Sequence, residues 1–142
     1  MIVLDTNVLS EVMRPNPSPL VIAWMQEQRG SQTTVTAITQ AEIFYGVELL
    51  PPGRRRNHLL REAESMFAED LGGRFLPFDN EAARLYAKIA STRRAKGKPI
   101  SVPDAQIAAI VLAHRAVLAS RNVLDFEGCG IQVVNPWEER QV

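Results

Sequence analysis

Asp5 directly follows the apolar run Ile2-Val3-Leu4, and an acid immediately behind a buried strand is rarely needed for folding. Glu42 lies in the opening turn of a helix expected behind Thr33–Thr36, and Asp104 follows Pro103 at the start of another. Asn122 and Asp125 come after the apolar run Val117-Leu118-Ala119. If these runs are parallel strands, the side chains gather at the carboxyl edge of the sheet, where open α/β folds bind ligands. Three or four carboxylates crowded there repel one another, so the group either protonates or holds a divalent cation. Oxygen-only ligands select hard ions, Mg²⁺ or Mn²⁺. Such a centre suits phosphodiester hydrolysis, because the cation activates water and neutralises charge building on the phosphate. No nucleophilic side chain is then required, which fits a chain with one cysteine, two histidines and no credible Ser–His–Asp or Cys–His set.

Each acid also has a plain structural role open to it. Thr39-Gln40-Ala41-Glu42 matches a capping box, in which Glu42 bonds back to the helix start. Asp104 in a first turn complements the helix dipole. Asp125 followed by Phe126 reads as a turn residue with an aromatic plug, and Asn7 as a brace for the Asp5 loop. Phosphatases of the haloacid dehalogenase type also place an aspartate after their first strand. They want a second acid two residues on, where this chain has Asn7, and no downstream lysine is evident. It is the coincidence of positions, not any single residue, that favours a shared cation site.

The elements that must position these groups follow from the apolar pattern. The 142 residues are room for one domain spanning 1–142, and 46% apolar against 23% charged residues excludes disordered and fibrous classes. Sixteen basic and sixteen acidic residues balance to zero, so binding of nucleic acid by bulk charge is excluded while a local acidic site is not. Cys129 has no internal disulfide partner, which fits a reducing cytoplasm. The start Met1-Ile2-Val3-Leu4-Asp5 lacks a basic n-region, so no secretory signal is expected. The longest apolar run, from Ile107 to Ala113, is far shorter than the roughly 18 residues of a membrane span.

Helices are expected from Val8 to Met13, from Ser18 to about Gln28 with an end near Gly30, from Thr39 to Leu50, and from Arg54 to Leu71. Two more run from Asp79 or Asn80 to Gly97 and from Pro103 to His114. Strands are expected at Met1–Leu4, Thr33–Thr36, Val117–Ala119 and Ile131–Val134, with a brief one at Phe75-Leu76. Alternation without hairpin signals predicts a mostly parallel sheet with helices on both faces.

Val3-Leu4-Asp5-Thr6-Asn7, Ala41-Glu42-Ile43 with Gly46, Asp104-Ala105-Gln106-Ile107-Ala108-Ala109, Ser120-Arg121-Asn122 with Asp125-Phe126, and Val134-Asn135-Pro136-Trp137 stand in that order. This series resembles the signature of PIN-domain nucleases, and more narrowly of the VapC and FitB toxins of bacterial toxin–antitoxin pairs. The resemblance runs from Asp5 to Trp137. It implies a single PIN-like nuclease domain over residues 1–142, an α/β three-layer fold with a mostly parallel four- or five-stranded sheet flanked by helices. It also implies that Asp5, Glu42 and Asp104 form an acidic triad for Mg²⁺ or Mn²⁺. The family often adds a fourth acid; here Asn122 stands at that place with Asp125 three residues on, and which of the two completes the site stays open. Ser120 stands where relatives commonly carry a hydroxyl that supports the loop or a water, beside Asn7 as loop support.

By the same resemblance the chain is expected to be a cytoplasmic, metal-dependent endoribonuclease. It would cut single-stranded or looped RNA to leave a 5′-phosphate and a 3′-hydroxyl. It would form a homodimer, or a larger complex with an antitoxin whose basic side chain enters the acidic pocket, and reach promoter DNA only through that antitoxin. The alternatives are a non-catalytic partner-binding module on the same fold, or a phosphoaspartyl phosphatase. Two basic clusters, Arg54-Arg55-Arg56 and Arg93, Arg94, Lys96, Lys98, read either as phosphate contacts or as solvated faces. Trp24, Phe44, Tyr45 and Trp137 are expected to fill core or interface, and Gly128-Cys129-Gly130 is a turn.

Overall fold

The computed structural model describes residues 1–28 and 33–139. Gly30, the expected end of the second helix, lies outside the described residues. Four strands, β1 (Ile2–Leu4), β2 (Thr33–Thr34), β3 (Val117–Ala119) and β4 (Gln132–Val134), form one sheet in the order β2-β1-β3-β4. Every pairing is parallel, so each crossover returns over a face of the sheet and each strand ends at the same edge. The helices are α1 (Thr6–Val12), α2 (Pro19–Glu27), α3 (Ala37–Glu48), α4 (Arg54–Ser65), α5 (Asn80–Ala95) and α6 (Val102–Ala113).

The strands are only two or three residues long, yet their period-2 alternation still sorts side chains into two cores. Val3 and Leu118 point to one face, where they meet the buried side chains of α6 and Ala82 and Ile89 of α5. Leu4 and Ala119 point to the other, against Val8 and Leu9 of α1, Val21 of α2 and Ile43 of α3. Burying each Leu or Val here contributes about 2 kcal/mol. Helix α6 is buried at Ala105 and from Ile107 through Val111, which suits a helix covered almost all round, and Pro103 opens it in the first turn under the N-cap Ser101.

Expected boundaries shift in α3, α4 and β2. Helix α3 begins at Ala37 rather than Thr39, because Thr36 is the N-cap and its side chain accepts from the Thr39 backbone N–H at 3.1 Å. Glu42 therefore sits in the second turn and not the first, and the capping box is absent. The expected helix from Arg54 to Leu71 divides at Ser65, where a single π-helical turn, Met66–Asp70, carries the buried Met66 and Phe67. Strand β2 stops at Thr34, and the Phe75-Leu76 segment contributes one parallel bridge, Leu76 to Thr36.

Arg93 corrects the basic-cluster expectation. Its side chain is 8% exposed and points inward, not to solvent with Arg94, Lys96 and Lys98. Nε donates to the Lys98 carbonyl at 2.7 Å, and Nη1 donates to the carbonyls of Asp125 at 2.8 Å and Glu127 at 3.0 Å. One planar fork thus ties the end of α5 to the 3₁₀ turn Val123–Phe126, which follows β3. Replacing it strands those carbonyls. Arg93→Ala is expected to lower the unfolding free energy by about 2–4 kcal/mol, read as a lower urea midpoint at unchanged slope. Arg93→Lys recovers little, since one ammonium cannot span three carbonyls; an Ala variant within about 0.5 kcal/mol of the parent would contradict this role.

Candidate active site

Parallel pairing places the ends of β1, β3 and β4 side by side: the Asp5 N–H donates to the Ala119 carbonyl at 2.9 Å, and the Ser120 N–H to the Val134 carbonyl at 2.9 Å. The first residue past each strand therefore lies at one rim. Asp5 is 5% exposed and is the N-cap of α1. Its Oδ1 accepts from the Thr6 N–H at 2.8 Å, and its Oδ2 accepts from the Ser120 hydroxyl at 2.7 Å and from Asn7 Nδ2 at 3.4 Å. Ser120 in turn accepts from Asn7 Nδ2 at 3.3 Å and from the Asn122 N–H at 3.1 Å. Asn7 and Ser120 thus both hydrogen-bond the acid.

A cleft of about 550 Å³ at this edge is lined by Asp5, Glu42, Asp104 and Asn122. Glu42 reaches it from the second turn of α3, with Oε1 accepting from the Thr6 hydroxyl at 2.8 Å. Asp104 reaches it from the first turn of α6, where its N–H donates to the Ser101 hydroxyl at 3.3 Å. Of the two candidates for the last place, Asn122 lines the cleft, whereas Asp125 does not and its side chain is exposed. The charge of Asp125 nevertheless reaches Asp104.

Burial pushes the Asp5 carboxyl from 3.8 up to about 6; the Ser120 and Thr6 hydrogen bonds pull it down, and the charges of Asp104 and Glu42 push it up further. Asp104 is raised as well, first by burial and then by Asp125, against the Ser101 hydrogen bond. Carboxylates desolvated in one another's field are the donor set that a hard divalent ion neutralises. Among the described residues no three His, Cys, Asp or Glu side chains converge closely enough to cage an ion unaided. Waters completing the shell are what Mg²⁺ ordinarily keeps, so the chemistry of the donors fits that ion.

Several lining residues escape sequence reasoning. Thr6, Ser10, Glu11, Arg14, Arg121 and Trp137 complete the cleft. A hydroxyl directly after Asp5 was the available signal for Thr6. Among the described residues that line the cleft the cations are Arg14 and Arg121, and no member of either expected basic cluster is among them. Arg14 pairs with the nearly buried Glu11 at 3.2 Å. The Arg121 guanidinium lies 5.2 Å from the centre of the Trp137 ring. Among the four aromatics expected in core or interface, Trp24, Phe44 and Trp137 pack against the second core, while Tyr45 is 67% exposed.

Comparison with known proteins adds to this geometry. A family profile described as PIN domain matches residues 2–124. The chain is 40% identical over 138 residues to VapC ribonuclease Y4jK of Sinorhizobium fredii, covering 97% of this chain and 99% of that one. It is 39% identical over 139 residues to Toxin FitB of Neisseria gonorrhoeae, covering 98% and 100%. Among solved structures, FitAB bound to an IR36 DNA fragment contains a chain that superposes with a TM-score of 0.91 at 38% identity, over 99% of both chains.

The burial of Asp5 carries a stability consequence. With a folded pKa of about 6 against 3.8 unfolded, the native state binds the extra proton between those values, so this group's contribution falls as pH rises through that window. In metal-free buffer Asp5→Asn should match the parent near pH 4 and exceed it by about 2–3 kcal/mol at pH 7.5. Urea denaturation across the window measures the gap; a difference independent of pH would refute it.

Proposed function

The chain belongs to the PIN-domain family, within its VapC and FitB group, and on that premise we propose that it is a divalent-cation-dependent endoribonuclease acting as the toxin of a toxin–antitoxin pair. The observation that carries this is the joint lining of one cleft by Asp5, Glu42 and Asp104, with Asp5 buried and its carboxyl pushed up to about 6. Those three would hold Mg²⁺ or Mn²⁺, which when bound supplies an activated water and neutralises charge on the phosphate under attack.

The chain's own residues supply the positioning. The Ser120 hydroxyl and the Thr6 N–H fix the two oxygens of Asp5, and the Thr6 hydroxyl fixes Glu42. The Ser101 cap sets the first turn of α6 and with it Asp104. Asn122 offers an amide to the cleft, while Asp125 acts from outside by its charge on Asp104. The strand that enters is single-stranded or looped RNA, and the products carry a 5′-phosphate and a 3′-hydroxyl.

Relatives named as a ribonuclease and as a toxin support this assignment, and a FitAB complex on a DNA fragment supports a partner protein; that partner would restrain the enzyme and carry it to promoter DNA. The chain would act as one domain over residues 1–142, in the cytoplasm, as a homodimer or in a larger complex with its antitoxin. Among the described residues no helix is long and apolar enough to cross a membrane.

Purified protein should cleave single-stranded RNA in Mg²⁺ buffer and stop on addition of EDTA. Asp5→Asn and Asp104→Asn should each lose roughly 100-fold or more, and Ser120→Ala, which frees an oxygen of Asp5, roughly 10- to 100-fold. Cleavage that survives EDTA or Asp5→Asn would overturn the assignment, as would hydrolysis of small phosphate esters with RNA left intact.

A further inference from the structure

We propose that Arg121, which lies over the Trp137 ring at the mouth of the cleft, binds a backbone phosphate of the RNA strand next to the bond that is cut. This deepens the ribonuclease reading and rests on it. The divalent cation would offset the three carboxylates only at the bond under attack, so the neighbouring phosphates of a polyanion need cations at the rim to receive them. Among the described residues the lining holds two, and Arg14 already shares its charge with Glu11 in an ion pair at 3.2 Å. Among the described residues no carboxylate or carbonyl accepts from the Arg121 guanidinium, which is held instead over the Trp137 ring at 5.2 Å.

The contact is fixed from both sides by the same backbone that fixes Asp5. Parallel pairing of β3 with β4 brings Arg121 and Trp137, just past the strand ends, to one place. The Arg121 N–H donates to Asn7 Oδ1 at 3.3 Å, and the Trp137 N–H donates to Asn135 Oδ1 at 2.9 Å. Trp137 is half-buried and packs against the second core, which gives its ring a protein backing. With the ring beside it and no carboxylate or carbonyl accepting from it among the described residues, the guanidinium keeps its N–H groups available, and their fork fits two phosphate oxygens. The guanidinium covers the ring face toward Arg121, which favours a phosphate on the arginine over a base on the tryptophan. Ser120 and Asn122, on either side of Arg121, face the acid and the cleft, so a phosphate on Arg121 sets the strand in register with Asp5.

The test is fluorescence anisotropy of a labelled single-stranded RNA of mixed sequence, titrated over a salt series, with Asp104→Asn protein so that the strand stays whole. Adding Arg121→Ala should weaken binding about tenfold and reduce the slope of log K against log salt by about 0.7, the share of one single-strand phosphate. Arg121→Lys should recover the slope but not the full affinity, and Trp137→Leu should weaken binding with the slope kept. In the otherwise unaltered enzyme, Arg121→Ala should raise KM with kcat within about twofold, the pattern of lost uniform binding. Unchanged slope and KM in Arg121→Ala, beside a parent that cleaves RNA, would overturn the contact alone. Intact RNA binding with lost binding of an acidic protein segment would overturn it in favour of protein recognition. A parent that neither binds nor cleaves RNA would overturn the ribonuclease assignment and this contact with it.

Discussion

A carboxylate taken out of water beside two others is the constraint on which this molecule turns. Asp5 is 5% exposed, and Asp104 and Glu42 share its cleft and act on its charge. Left alone, such a group lowers its energy by protonating or by moving apart. Moving apart is closed to it, because the backbone of Asp5 is locked between β1 and α1 and paired to Ala119. With its carboxyl pushed up to about 6, protonation relieves it only below neutral pH. The fold therefore stores an electrostatic demand for positive charge at one edge of the sheet. That makes the edge a poor place for stability and a good one for binding a cation.

The all-parallel sheet is what makes this arrangement possible with so little chain. Strands of two or three residues would be marginal in an isolated sheet. Here they are covered on both faces, by α5 and α6 on one and by α1, α2 and α3 on the other. Because every strand points the same way, residues far apart in sequence leave the sheet together: Asp5, Ser120 and Asn135 each follow the last residue of a strand. Arg93 adds a clamp from the far side, holding the carbonyls of the segment that leads away from Asn122.

How much of this was legible in the sequence depends on the range of the interaction that fixes each feature. Asp5 and Asp104 were legible because their signals are local, an acid directly after an apolar run and an acid one residue after a helix-opening proline. Glu42 was located at the right edge for an imprecise reason: with Thr36 and not Thr39 as the cap, it bonds Thr6 across the cleft rather than its own helix start. Arg93 looked like one more member of a basic cluster, since nothing within its own helix announces that three carbonyls from two other segments surround it. Arg121 and Trp137 lie sixteen positions apart, and only the register of β3 on β4 makes them neighbours. Hydrophobic period and capping chemistry act over a few residues, while these contacts are set by strand pairing.

Ser120 shows how tightly the local and the distant are joined. A hydroxyl has one proton to give and two lone pairs to offer. Ser120 gives its proton to Asp5 Oδ2 and accepts from Asn7 Nδ2 and from the Asn122 N–H, so its bonding capacity is used up within the protein. It is fully buried, and solvent does not compete for it. One oxygen atom thus sets the orientation of the acid on β1 and the path of the chain after β3. Any shift of the β3 end relative to β1 must break a buried charge-assisted hydrogen bond, which at 2.7 Å is among the stronger contacts of its kind. The rigidity of the cleft therefore arises from the same contact that lowers the cost of keeping Asp5 ionised, and the two properties cannot be varied separately at this position.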